Sequence, residues 1–284
     1  MSDLLRVRNL RVTYPGDDGD FHAVRNVSFT LGRERLGIVG ESGSGKSTTG
    51  RAIMGLVAEP GRITAEEMVL VDSAGTTDLR GLSERGFRKL RGKRIAMVLQ
   101  DPKYSLDPVM SVGEQIAETH RTHLRSSKTA AKLAALEMLE AVHIRDPERV
   151  YRMYPHQVSG GMGQRVMIAM MLIAGPEILI ADEPTSALDV TVQTQVLAIM
   201  DDLVQRRGMG LILISHNLHL VSSFCDRVLV MYGGQVVETC EASKLGEATH
   251  PYTQGLLAAL PELGRRRGEL PQLQRDPAWM ADIA

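Results

Sequence analysis

Eight consecutive residues carry the most explicit chemistry in the chain. Gly40, Glu41, Ser42, Gly43, Ser44, Gly45, Lys46 and Ser47 fit the spacing G-x-x-x-x-G-K-[ST]. Glycines at such positions let backbone N–H groups converge on phosphate oxygens with no Cβ in the way. A helix opening at Ser47 and Thr48 adds the partial positive charge of its N-terminus. Lys46 is then placed for the β- and γ-phosphates of a nucleotide, and the Ser47 hydroxyl for Mg²⁺. A dinucleotide fingerprint fits worse, because Thr48 follows Gly43-x-Gly45 where a third glycine is required.

Three further clusters answer to this loop. Glu177 to Pro184 is an apolar run ending in two carboxylates, Asp182 and Glu183. Beside bound phosphates, the first acid suits Mg²⁺ through water and the second suits polarising an attacking water. Leu211 to Ser215 is a second apolar run, and His216 follows it where a sensor of the γ-phosphate is expected. Ser159-Gly160-Gly161 opens a helix whose N–H groups form another potential anion site.

These residues need elements to hold them. Leu36 to Val39 reads as a short buried strand feeding the loop, and Ser47 to Leu56 as a helix burying Ile53, Met54 and Leu56. Ahead of them, Leu4 to Tyr14 partly alternates apolar and polar residues, as an edge strand does. The cluster at 15–20 is a turn, and Ala23 to Leu31 alternates again, so an antiparallel region is expected. Tyr14 is either a stacking platform for adenine or an ordinary half-buried strand tyrosine; its spacing does not decide. Residues 61–79 read as strand and turn, and Ile95 to Leu99 as a buried strand ending at Gln100. Between them Arg80, Arg85, Arg88, Lys89, Arg91, Lys93 and Arg94 read as a solvated basic face rather than a nucleic-acid patch, since Phe87 is the one interleaved aromatic.

After Asp101-Pro102 the character changes. Val112 to His123 and Lys128 to Ile144 are helical, with Leu133, Leu136, Leu139 and Val142 as an expected apolar stripe. Val166 to Ala174 is apolar all round and reads as a buried helix, and a helix is expected from about Val190 to Arg206. Tyr232-Gly233-Gly234 between Val228–Met231 and Gln235–Glu238 is a hairpin signal.

The chain has 284 residues, 43% hydrophobic and 24% charged, with a net charge of −1, so no global field recruits nucleic acid. Cys225 and Cys240 are too few for a disulfide framework and fit a reducing compartment. The start lacks a signal-peptide core, and no apolar run reaches the length of about 18 residues needed to cross a bilayer. A soluble protein is expected, with any membrane role reached through partners.

Taken in order, Tyr14, the loop at 40–47, Gln100, Ser159-Gly160-Gly161, Asp182-Glu183, Ser186 to Asp189 and His216 resemble the ATP-binding subunits of ABC transporters over about residues 4–262. Gln100-Asp101-Pro102, Tyr154-Pro155-His156-Gln157 and His250 to Leu257 look like the dipeptide, oligopeptide and nickel import branch. The resemblance implies an α/β fold: a P-loop NTPase core with an antiparallel β-subdomain (1–99 and 164–240), an inserted helical subdomain (100–163) and a C-terminal extension (241–284). It implies ATP and Mg²⁺ as ligands, with Tyr14 on adenine, Ser47, Gln100 and Asp182 about the metal, Glu183 as general base and His216 on the γ-phosphate. Ser159, Gly160, Gly161 and Gln164 would serve the opposite protomer's ATP, and Asp189 would cross the dimer interface.

The implied partners are a second ATPase subunit, identical or different, two membrane permease subunits and, indirectly, an extracytoplasmic solute-binding protein. The implied location is the cytoplasmic face of the bacterial inner membrane. A soluble ABC ATPase acting on nucleic acid or ribosomes is the alternative; the long coiled coil or duplicated cassette usual there is missing from the sequence. Four positions depart from the family's pattern: Val158, Gly163, Asn217 and the pair Lys103-Tyr104, the last a candidate contact, with Leu106, for a membrane-subunit helix. Residues 265–284 carry no cysteine, so no iron–sulfur cluster is expected there. They also lack a core pattern and are expected to be dispensable for hydrolysis, with Trp279 a possible anchor.

Overall fold

A computed structural model of the protein describes residues 3–17, 19–72, 75–101, 105–186 and 188–259, together with Asp276 and Trp279. The chain divides into two units, one made of Met1–Leu82 and Ile212–Ala284, the other of Ser83–Leu211. In chain order the first unit starts with β1 (Leu5–Tyr14), β2 (Phe21–Leu31), β3 (Arg35–Val39), α1 (Lys46–Ile53), β4 (Arg62–Thr64), β5 (Glu67–Asp72) and β6 (Gly75–Asp78). The second holds α2 (Glu84–Leu90), β7 (Ile95–Val98), α3 (Val112–Leu124), α4 (Lys128–Ala141), α5 (Pro147–Tyr151), α6 (Gly160–Leu172), β8 (Ile178–Asp182) and α7 (Val190–Arg207). The chain returns to the first unit within β9 (Gly210–Ser215), followed by α8 (Leu218–Phe224), β10 (Arg227–Tyr232), β11 (Gln235–Glu241) and α9 (Pro251–Ala258).

The antiparallel region is present, but β1 is not its edge. It pairs antiparallel with β2, β4 and β5, and β6 continues beyond β5. The partial alternation has a different cause. Leu5, Val7, Leu10 and Val12 are all at most 2% exposed, so the buried face moves from odd to even numbers. The register with β2 shifts between Val7 and Leu10, and Asn9 takes a φ of 49°, which marks a bulge that re-phases the strand.

The other strands of the first unit lie in the order β11-β10-β3-β9. β10 runs parallel to β3, and β11 returns antiparallel through Gly233 and Gly234, both at positive φ, which is the expected hairpin. β3 is buried from Leu36 to Val39. α1 buries Ile53, and Met54 caps its end, but Leu56 lies beyond that end and is 44% exposed.

In the second unit β7 and β8 pair in parallel, and both are buried throughout. Arg94 binds the Glu177 carboxylate at 2.8 and 2.9 Å just ahead of them. The basic stretch is ion-paired rather than bare, since Glu84 meets both Arg88 and Arg91. The strand candidate ends one residue early, at Val98, and Leu99 is 38% exposed. Most helices here start on a residue that can cap them. Ser111, Ser127, Asp146, Ser159 and Asp189 each accept the N–H three residues on, at 3.0–3.4 Å. α6 buries Val166 to Ala169 and Leu172, as its apolar composition predicts.

The stripe expected on α4 is wrong in part. Ala131, Ala135, Met138 and Leu139 are its buried residues, while Leu133 is 59% exposed. At 3.6 residues per turn, the nine-residue step from Leu133 to Val142 covers about two and a half turns, so helical spacing sets these two on opposite faces. The helix also stops at Ala141 rather than Ile144, and His143 follows with a φ of 59°. Lys103 and Tyr104 lie outside the described residues, as do 265–275; Leu106 is buried. Among the described residues no helix is long and apolar enough to cross a membrane.

Candidate functional site

In the first unit the phosphate loop leaves β3 at Gly40, whose φ is 151°. A Cβ there would lie 2.2 Å from the Met231 carbonyl oxygen, and one at Gly45 (φ 97°) would lie 2.5 Å from that of Ala23. Both glycines therefore serve close approach as well as conformation. Among the described residues a Cβ at Gly43, at φ 82°, would meet nothing within 4 Å, which leaves the tip of the loop open to a ligand. Ser44 is 4% exposed, and its carbonyl accepts the Gly234 N–H at 3.2 Å. Glu41 donates its N–H to the Tyr252 hydroxyl at 2.9 Å. The loop is thus buttressed by the hairpin and α9.

Lys46, 5% exposed, bridges the loop from within, its Nζ donating to the Gly40 and Glu41 carbonyls at 2.8 and 2.7 Å. α1 begins at Lys46 itself, with no side-chain cap. Its first-turn N–H groups are those a helix leaves for a ligand. Ser47 and Thr48 are half-buried in that turn, and buried Thr49 closes it by donating to the Gly45 carbonyl at 3.0 Å. The set suits polyphosphate: an open glycine tip, a buried ammonium and a helix start. Tyr14 is half-buried at the end of β1, and its ring covers Gly61, where a Cβ would lie 2.7 Å from Cε1. His216 is exposed just past β9, a neighbour of β3. Asn217, one of the departures, caps α8 by accepting the Leu220 N–H at 3.1 Å, a role asparagine fills as well as aspartate.

The second unit brings Gln100 and the Ser159 helix start together. Gln100, Asp101, Val158, Ser159, Gly160 and Gln164 line one cavity of about 180 Å³. Gln164 is 1% exposed, and among the described residues its Nε2 has no hydrogen-bond partner. Gly161 allows α6 to meet α7, since a Cβ there would lie 2.7 Å from Val192 Cγ1. Among the described residues Gly160 has only Leu188 near it, at 4.0 Å, and it is exposed beside Ser159. Asp182 ends β8 at 5% exposure. Glu183 takes a φ of 47°, unusual for a side chain of its size and common where function holds a strained backbone. Its carbonyl accepts from the Ser186 N–H and hydroxyl at 3.3 and 3.2 Å, a tight turn that keeps it there. Asp189 caps α7 through the Val192 N–H at 3.0 Å, so its carboxylate already has a structural partner.

Among the described residues no three His, Cys, Asp or Glu side chains converge as a metal cluster. Ser47 in the first unit, and Gln100 and Asp182 in the second, each carry an oxygen donor of the kind a hard cation takes. Cys225 is buried and unpaired, and burial pushes its thiol up to about 12, so it is an inert core residue. Sequence reasoning missed Tyr252. Its place in His250 to Leu257 was legible as a family marker, but a hydrogen bond to a loop 211 positions away leaves no trace in local spacing.

Comparison with known proteins agrees with this geometry. The family model described as ABC transporter matches residues 24–186. The dipeptide transport ATP-binding protein DppD of Haemophilus influenzae is 47% identical over 95% of this chain and 82% of that protein. The oligopeptide transport ATP-binding protein OppD of Bacillus subtilis is 47% identical over 92% of this chain and 72% of its own length. A glutathione import ATP-binding protein, GsiA of Salmonella choleraesuis, is 48% identical over 99% of this chain, which spans 45% of that longer protein. Among solved structures, the ATP-binding cassette MJ0796, described as dimeric and bound to ADP and Pi, superposes with a TM-score of 0.72 at 26% identity over 84% of this chain and 98% of that one. The fold is that of an ABC ATPase cassette, and the chain belongs to the ABC transporter family.

Proposed function

We propose that this chain is the ATP-hydrolysing subunit of a bacterial importer for peptides, nickel or a related small solute. The observation that carries it is the buttressed phosphate loop with buried Lys46, in a chain whose relatives are named for dipeptide, oligopeptide and glutathione import. Lys46 and the loop N–H groups hold the phosphates, Tyr14 stacks on adenine, and Thr48 completes the first turn. Ser47, Gln100 and Asp182 are the residues that would hold Mg²⁺, which would supply charge neutralisation to the nucleotide's phosphates. Glu183 takes a proton from the attacking water, and His216 fixes the γ-phosphate.

The loop of one subunit and the Ser159-Gly160-Gly161 helix start of another enclose ATP between them, with Gln164 behind that helix start and Asp189 at the subunit boundary. The second ATPase subunit is a copy or a close relative. Two permease subunits tether the pair to the cytoplasmic face of the inner membrane, and a solute-binding protein delivers the cargo to the permeases. The core (1–99, 164–240) hydrolyses ATP, the helical part (100–163) answers to the permeases, and 241–284 is an extension. Closing on ATP and reopening after hydrolysis moves the permeases.

Affinity purification of the tagged chain from its native membranes tests this reading. Co-purification of two permease subunits and ATPase activity stimulated by the binding protein is the expected result. Recovery with nucleic acid or ribosomes and no permease overturns it.

A further inference from the structure

The phosphate loop is held from behind by residues more than 180 positions later in the chain. Three of its residues meet this late segment: Gly40 presses on the Met231 carbonyl, Ser44 accepts from Gly234, and Glu41 donates to the Tyr252 hydroxyl. The first two are backbone contacts fixed by the hairpin; the third depends on one side chain. Tyr252 is 0% exposed, and a buried tyrosine hydroxyl normally needs a polar partner. Its ring lies 4.5 Å from that of Tyr232, and Trp279 sits edge-on to both, 5.8 Å from Tyr232 and 6.1 Å from Tyr252. His250 completes the cluster, 6.0 Å from Trp279, and its Nδ1 accepts the Tyr252 N–H at 3.2 Å.

We propose that Tyr252 is a positioning residue of the nucleotide site and that Trp279 holds its ring in place, so that the far end of the chain sets how tightly the phosphate loop grips nucleotide. The inference rests on the reading of residues 40–47 as the nucleotide's phosphate site. Without the hydroxyl, the Glu41 N–H loses the acceptor that fixes the loop's entry. The loop then samples more conformations before binding, and binding must restrict them. The effect falls on affinity, because Tyr252 meets the loop's backbone and not the reacting atoms. On this reading Trp279 is not dispensable, contrary to the expectation for residues 265–284.

The test uses the full chain and ATP. Tyr252→Phe keeps the ring and removes the hydroxyl. One such hydrogen bond corresponds to an ATP Kd raised about three- to tenfold by calorimetry. In the assembled transporter, KM for ATP rises while kcat at saturating ATP stays within about twofold. Trp279→Ala raises Kd in the same direction, and the double variant is no worse than the sum of the two. Trp279 is the chain's one tryptophan, so its emission is a clean reporter. ATP should change it in the wild type, and the change should shrink in Tyr252→Phe. Wild-type Kd and KM in Tyr252→Phe, with ATP binding lost in Lys46→Ala, overturn this inference alone. If Tyr252→Phe does not fold, Trp279→Ala decides: an unchanged Kd overturns the inference. A wild-type chain that binds no ATP overturns the proposed function together with it.

Discussion

Glu183 is the residue on which turnover is proposed to turn, and its backbone sets it apart from the other acids among the described residues. It follows buried Asp182 at a φ of 47°, in a turn closed by two hydrogen bonds from Ser186. A carboxylate residue held in the left-handed region costs about 1–3 kcal/mol, which the fold absorbs to aim that side chain off the end of β8. Glu183→Gln keeps size and backbone but not basicity. ATP hydrolysis by the assembled transporter should fall about 10²–10⁴-fold, while calorimetry finds ATP bound as tightly as before. Hydrolysis at near wild-type rate would remove Glu183 from the mechanism. A different carboxylate shows what an ordinary structural acid does here. The Arg35 guanidinium donates to Asp226 at 2.7 and 3.2 Å and holds its carboxyl below the usual value. Its stabilising effect is therefore complete above the unfolded carboxylate value of about 4 and is lost as pH falls through the lower folded value. Asp226→Asn should flatten that acid limb of the urea midpoint plotted against pH, and an unaltered limb would assign the acid sensitivity elsewhere.

At the scale of elements, the helix starts carry both the architecture and the candidate chemistry. Ser159 caps α6 through Met162, and Gly161 lets α6 approach α7. Gly161→Ala would force a methyl to within 2.7 Å of Val192 Cγ1. Overpacking of this kind costs about 1–3 kcal/mol. The added Val192→Ala should restore most of the lost melting temperature, and a double variant no more stable than the single one would deny that contact. Elements set by local spacing were legible in the sequence: the phosphate loop, the long helices at 112–123 and 190–206, the buried strands at Asp182 and before His216, the hairpin at Gly233-Gly234. What was hidden depends on distant or cumulative geometry. The central place of β1 follows from pairing with β4 and β5, which lie some fifty residues on. The bulge at Asn9 disguised its alternation as that of an edge. Leu133 fitted a spacing of three, which drifts around a helix instead of keeping to one face.

For the whole molecule, the decisive question is where a second subunit acts. Gly160 offers a way to ask it without harming the fold. Among the described residues a Cβ at Gly160 would meet Leu188 alone, at 4.0 Å, and the position is exposed in the first turn of α6. Gly160→Glu therefore has room, leaves the Ser159 cap in place and sets a negative charge where a helix N-terminus welcomes one. If this helix start faces the γ-phosphate bound by another subunit, that same charge repels it. The Glu183→Gln chain with ATP should sediment as a dimer, alone or with its partner ATPase subunit. Adding Gly160→Glu should leave each subunit monomeric, with unchanged melting temperature and unchanged ATP affinity by calorimetry. Weakened ATP binding to the isolated Gly160→Glu chain would mean that this helix start serves its own loop. Dimers that survive the added charge would place the interface elsewhere. Dimerisation that requires the second subunit, and fails with this chain alone, would make the pair a heteromer.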